Sequence, residues 1–280
     1  MTLHSNDVLD FTPPPLETVE KALKLQKAYF DPVFFGMSNV DKNKPALYVS
    51  NHTIYGNLDG PLIYLALYEE KDIVLRSLGD HFHFQIPGWR TLLQNAGTVE
   101  GTPENCHRLM EAGEHILVYP GGGREVAKRK GEQYKLAWKT RTGFARMAME
   151  HGYPIIPVAS LGADDAYDIH YDAYDFKASK IGQKLLENKT INRLLRNGDV
   201  VFPLSTGLAF TPLPRPERFY FSFGEPIETA PFQDQAHDKE TQWKVRKQVM
   251  ESLEAELDHL KTIRYKDRDM GFLRKMFSRH

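Results

Sequence analysis

Between residues 46 and 159, short apolar runs alternate with helical stretches, and this alternation constrains the fold more than any other feature. Runs at 46–50, 72–77, 96–99, 114–119 and 154–159 read as strands, apolar and bounded by turn residues. Stretches at 62–69, 102–112 and 143–151 read as helices, and Pro103 suits the first helical position of the second. The expected fold class is α/β, a mostly parallel central sheet flanked by helices. In such sheets, sites are built just beyond the C-terminal ends of strands. The run Ala46-Leu47-Tyr48-Val49-Ser50 ends there in Asn51-His52-Thr53, with a carboxylate seven positions on at Asp59. His52 and Asp59 are therefore the first candidates for chemistry.

The flanks read less regularly. Residues 1–15 form a loose arm, 16–44 an N-terminal element with a helix at 16–30, 45–230 the catalytic core, and 239–280 a C-terminal helix and basic tail. Together they are expected to make one domain over 1–280. Residues 160–200 hold an acidic, tyrosine-rich loop and a short helix, and 218–224 another strand.

A net charge of −1 argues against a nucleic-acid partner. The one cysteine, Cys106, excludes an internal disulfide and fits a reducing compartment. No run approaches the ~18 uninterrupted apolar residues of a spanning helix. Residues 1–15 lack the basic and apolar regions of a signal peptide. A cytoplasmic location is expected, with the sequons at Asn51 and Asn188 occurring by chance.

Four constellations carry possible chemistry. A neutral imidazole at His52 can take a proton from an alcohol near pH 7, and a carboxylate would fix its tautomer; a histidine that only caps or packs is the plainer reading. Asn57 offers a neutral alternative partner to Asp59. Tyr119-Pro120-Gly121-Gly122-Gly123-Arg124-Glu125 ends a strand in a glycine-rich turn beside a basic residue, either an anion-binding nest or a turn needing positive φ. No Gly-Lys-Ser/Thr follows, so it is not a P-loop. Thr102 and Glu104 open a helix, where simple capping accounts for them, and Pro154-Ile155-Ile156-Pro157-Val158 by itself is a core strand. His81 and His83 lack a third metal ligand, and the aspartates at 164–175 read as a solvated loop or a cation grip. The basic run 128–139 is either a solvated helix face or a receiver of phosphates.

In this order the four resemble the glycerolipid acyltransferase family, the lysophospholipid acyltransferase superfamily, with matching spacing over about 45–160. The stretch 207–225 extends the likeness, which is greatest to the branch of phytyl ester synthases and diacylglycerol acyltransferase-like proteins. The resemblance implies acyl transfer from acyl-CoA or acyl-carrier protein to the hydroxyl of a glycerolipid or other lipid alcohol, without metal or bound cofactor. It makes His52 the general base and Asp59 its orienting acid. It places Asn57, Thr102, Glu104, Gly121, Gly122, Gly123, Arg124 and Glu125 around the substrates. Two departures stand out. The family's His-x4-Asp would put the acid at Asn57, and its Phe-Pro-Glu-Gly-Thr-Arg is Tyr-Pro-Gly-Gly-Gly-Arg here. Loss of that glutamate, which belongs to phosphate-bearing acceptor sites, favours a neutral acceptor such as diacylglycerol or a long-chain alcohol over a lysophospholipid, the alternative that stays open. A lipid acceptor requires contact with a membrane surface, for which the aromatic loop 82–89 and the tail 271–277 are candidates. An acyl thioesterase and a non-catalytic lipid-binding module are the rival classes.

Overall fold

The computed structural model describes residues 8–86, 88–267, 271, 274, 276 and 278. Helix α1 (Leu16–Phe30) and strand β1 (Val33–Phe35) lead into the alternating core. The core runs β2 (Leu47–Ser50), α2 (Gly60–Lys71), β3 (Leu75–Gly79), α3 (His81–Phe84), α4 (Trp89–Asn95), β4 (Thr98–Glu100), α5 (Pro103–Glu111), β5 (His115–Val118), α6 (Gly122–Val126), α7 (Gly143–His151) and β6 (Ile155–Leu161). An insertion follows, with β7 (Asp168–Tyr171), α8 (Ala173–Ala178), α9 (Lys180–Glu187), α10 (Lys189–Leu194) and β8 (Leu204–Thr206). Strand β9 (Tyr220–Phe223) and the long α11 (Lys239–Lys266) close the chain's described part.

Seven strands make one sheet in the order β1-β9-β6-β2-β5-β3-β4. All pairings are parallel except β6 with β9. The mostly parallel sheet expected from the alternation is thus present. Its two faces follow the period of two along each strand. Leu47, Val49, Ile116, Val118, Ile155 and Ala159 join a core with α5, α7 and α11. Tyr48, Leu117, Ile156 and Val158, one step out of phase, join Phe30, Leu62 and Leu67 from α1 and α2 on the opposite face. Both faces being covered, the strands read as continuous apolar runs.

Several expectations need correction, among them the loop and single short helix at 160–200, which is instead strand β7 followed by helices α8, α9 and α10. Strand β3 begins at Leu75, not at 72, because Asp72 ends α2 in the left-handed conformation (φ 56°). The basic run 128–139 is not a helix, and its first two residues are not solvated, although Lys130, Lys135 and Lys139 are exposed. Lys128 and Arg129 are buried, and Arg129, Lys130 and Lys139 pair with Asp199, Asp175 and Asp199.

Candidate active site

Strand β2 lies between β5 and β6, so the turns leaving all three parallel strands open at one end of the sheet. The turn after β2 is fastened from below. The Asn51 side chain accepts from the Ser160 N–H (2.8 Å) and donates to the Ser160 carbonyl (2.9 Å), locking it to β6. Both ends of this amide are used inside the core, so the Asn51 sequon is structural. The Ile54 N–H then donates to Asp164 (2.7 Å).

His52 sits on this clamp. Its ring stacks on Tyr119, with centroids 4.0 Å apart and planes 14° from parallel. A Cβ on Gly56 would lie 2.6 Å from the imidazole Cε1, so the residue facing the ring has to be glycine. Burial, reinforced by the charges of Lys128 and His83, pushes the imidazole down to about 3, so it is neutral at pH 7. Its Nδ1 is buried and has no hydrogen bond among the described residues.

Asp59 is fully buried and caps α2, accepting from the Gly60 N–H (3.0 Å). Burial raises its carboxyl to about 6 against the opposing pull of that N–H. Its second oxygen, Oδ2, has no hydrogen bond among the described residues. Asn57 is exposed. Neither residue is hydrogen-bonded to His52; Tyr119 instead relates Asp59 to it. The Tyr119 ring covers the imidazole, its hydroxyl lies at Gly60, and burial and the Asp59 charge push that hydroxyl well above its ordinary range. This hydroxyl is also buried and has no hydrogen bond among the described residues. Three orphaned polar atoms, from His52, Asp59 and Tyr119, therefore share this end of the sheet.

The glycine turn packs on three sides. Glu125 folds over Gly121, the Arg141 guanidinium lies 3.3 Å from a Cβ on Gly122, and Val200 lies 3.3 Å from one on Gly123. Gly122 has φ 49°, so the positive-φ reading holds there. Glu125 is buried; its oxygens accept from the His52 N–H (3.2 Å) and the Ala137 N–H (3.1 Å), and burial raises it to about 7. It braces the backbone of His52 from within. Arg124 is engaged by both oxygens of Glu132 (3.0 and 2.6 Å). Thr102 caps α5 through the Asn105 N–H, and Glu104 is exposed on that helix.

The structure thus brings His52, Asp59, Gly121 and Glu125 together, and leaves Asn57, Thr102, Glu104 and Arg124 with other work or none at the imidazole. Sequence reasoning passed over Tyr119 as a stacking partner, Asn51 as the clamp, Gly56 and Lys128. It also took the aspartates at 164–175 for a solvated loop or cation grip. Asp164 is instead a buried acceptor for Ile54 and Tyr134 N–H groups beside the Lys128 ammonium (3.4 Å), and Asp165 is buried against Tyr134 and Arg264. Only Tyr119 carried a signal, its place at the mouth of the glycine turn. A cavity of about 810 Å³ opens at the β4 edge beside Phe11, Arg76, Phe84 and Arg90; His52 does not line it.

Residues 32–161 match the family model described as Acyltransferase. The chain is 34% identical to "Phytyl ester synthase 2, chloroplastic" of Arabidopsis thaliana over 240 residues, 80% of this chain and 33% of that protein. It is 32% identical to "DGAT1/2-independent enzyme synthesizing storage lipids" of Homo sapiens over 123 residues, 44% of this chain and 37% of that protein. The chain thus spans about a third of these curated relatives' length. The crystal structure of the 1-acyl-sn-glycerophosphate (LPA) acyltransferase PlsC from Thermotoga maritima shares the fold. It aligns with a TM-score of 0.51 at 17% identity, covering 86% of this chain and 79% of that one.

Proposed function

We propose, from a chain whose residues 32–161 form an acyltransferase-family domain, that it moves a fatty acyl group from a thioester donor to the hydroxyl of a lipid alcohol, with His52 as general base. The observation that carries this reading is the imidazole at the end of the central strand, stacked on Tyr119 and kept neutral by burial. It takes the acceptor's hydroxyl proton as that oxygen attacks the thioester carbonyl. The C–S bond then breaks, and the imidazolium returns the proton to the departing thiolate. The burial that keeps His52 neutral makes its protonation costly, so an anionic partner is needed in the transition state. Asp59, ionised above about 6, is that partner. Backbone N–H groups of Gly121 and Gly123 offset the oxyanion, a donor set commonly worth about 3 kcal/mol, while the Gly122 N–H closes the turn on the Tyr119 carbonyl.

The donor is acyl-CoA or acyl-carrier protein, and no metal or bound cofactor takes part. A neutral acceptor, diacylglycerol or a long-chain alcohol, fits best. Gly121 stands where the pattern for phosphate-bearing acceptors has glutamate, and both oxygens of nearby Glu125 are taken by backbone N–H groups. The relatives' names, phytyl ester synthase and storage-lipid enzyme, agree with a neutral acceptor. Among the described residues no helix is long and apolar enough to cross a membrane. On this reading, access to a lipid acceptor is peripheral, on the cytoplasmic side. The stretch expected as an aromatic loop forms α3 and α4, on which Phe82 and Trp89 are exposed, whereas Phe272 and Phe277 of the tail lie outside the described residues.

The test is incubation of purified protein with labelled acyl-CoA and a panel of lipid alcohols, read by mass spectrometry. An ester product supports transfer. Free fatty acid alone would reassign the chain as a thioesterase, and no turnover with lipid retained would leave a binding module.

A further inference from the structure

The insertion between β6 and β9 presents an apolar, basic outer face, and we propose that this face seats the protein on an anionic lipid bilayer, with the His52 site turned towards the membrane. The orientation rests on the acyl-transfer reading; the docking itself does not.

Apolar exposure is concentrated rather than scattered. Among the described residues, eighteen large apolar side chains are exposed; eight fall within 174–213 and four within 82–92. Two segments, one inserted in the sheet and one following β3, thus hold two thirds of it. Ile181 on α9 is 73% exposed and Leu204 on β8 67%, with Leu185, Leu194 and Phe202 alongside in sequence. Patches of this kind on a soluble fold mark a contact surface.

The two segments meet at the mouth of the site. Asp80, which caps α3, pairs with Arg196 of the insertion (2.7 Å). The Tyr55 hydroxyl, three residues past His52, donates to the Pro203 carbonyl (3.0 Å), and its ring stacks on Phe202. Val200 lies against Gly123 of the glycine turn. A surface binding the insertion's outer side would therefore lie beside the imidazole.

Charge selects the occupant. Residues 173–197 hold six basic side chains against two acidic, in a chain whose net charge is −1. Lys177 and Arg196 are paired, whereas Lys180, Lys184, Lys189 and Arg193 are exposed and make no ion pair among the described residues. A second copy of this face would repel the first. Short helices with apolar side chains bordered by lysine and arginine are instead the pattern of interfacial segments on anionic lipid.

The full-length protein is floated with vesicles of phosphatidylcholine alone and of phosphatidylcholine mixed with phosphatidylglycerol. Wild-type protein is expected to rise with the mixed vesicles and to be released by salt. Lys184→Glu with Lys189→Glu lowers its partition on the order of 100-fold, since each basic residue near such a surface adds a separate electrostatic increment. Ile181→Asp with Leu185→Ser lowers partition to both vesicle types. All four positions are exposed, and circular dichroism verifies the fold. Transfer to a vesicle-borne acceptor drops with binding, while transfer to a detergent-dispersed acceptor stays at the wild-type rate. Wild-type protein left at the bottom of the gradient overturns the proposal. So do variants that float like wild type, or a dimer by light scattering that these variants dissolve. Flotation as described without any acyl transfer keeps the docking surface and removes the acyltransferase reading.

Discussion

The carboxylate of Glu125 folds back over Gly121 and fills the space that any side chain at that position would need. From there it holds the N–H of His52 and the N–H of Ala137. The first glycine of the turn is thus tied to the placement of the imidazole, 69 positions earlier in the chain.

Gly121→Ala should therefore displace Glu125 and loosen His52 together. Overpacking of this kind costs about 1–3 kcal/mol. In a Glu125→Ala background the penalty should largely vanish, a coupling that urea denaturation of the two single variants and the double variant measures. Additive penalties would show that the two residues do not compete for the same space.

Glu125 also predicts a pH dependence of stability. Its folded value, about 7, lies above the ordinary 4.5, so the folded state holds its proton more tightly. The stability this contributes is complete below 4.5 and is lost as pH rises through about 7. Wild-type protein should lose on the order of 1–3 kcal/mol from this group between pH 5 and 8, and Glu125→Gln should flatten that decline. His52, depressed to about 3, acts oppositely: its contribution is present above 6.5 and lost as pH falls towards 3. Parallel urea midpoints for the two proteins across this range would contradict the assignment.

Removal of the imidazole should abolish transfer with the sheet intact. For His52→Ala the expected loss is about 10²–10⁴-fold in kcat, the usual weight of a general base. Near-ultraviolet circular dichroism checks the fold. Unchanged turnover would end the catalytic role.

Asp59 should set the acid limb of the rate profile. Its carboxyl titrates at about 6, whereas His52 is already neutral well below that. kcat/KM should fall as pH drops through about 6 in the wild type, because the imidazolium then loses its anion. Asparagine caps a helix as well as aspartate does, so Asp59→Asn should keep α2 while flattening this limb at a lower rate. A limb at the same pH in the variant would assign it to another group.

Tyr119→Phe isolates the orphaned hydroxyl. That oxygen is buried with no hydrogen bond among the described residues, and its removal should leave stability unchanged within about 0.5 kcal/mol or raise it. Tyr119→Leu, which also removes the stack on His52, should lower kcat. Equal kinetics for the phenylalanine and leucine variants would show that the ring does not place the imidazole.

The elements of this fold were legible where neighbours in sequence decide them. The helices Leu16–Phe30 and Gly143–His151 have the bounds their spacing and breakers indicate, and the strands β2, β5 and β6 follow from apolar runs. His52 was legible too, as polarity appearing abruptly past a strand. What its neighbours do was not. Asn51 meets Ser160, Ile54 meets Asp164, and Glu125 reaches back to His52 across 109, 110 and 73 positions, contacts that exist only because β5 and β6 flank β2. The acidic stretch at 164–165 and the basic one at 128–129 looked solvated in sequence because each was read without the other. Packed together, they supply buried acceptors and a buried ammonium whose charge acts on the imidazole. By itself, the sequence determined the central strands, the helices beside them and the place of His52, because local periodicity encodes which face is buried. Only the tertiary structure decided the support and burial of His52, because both depend on the order of strands in the sheet.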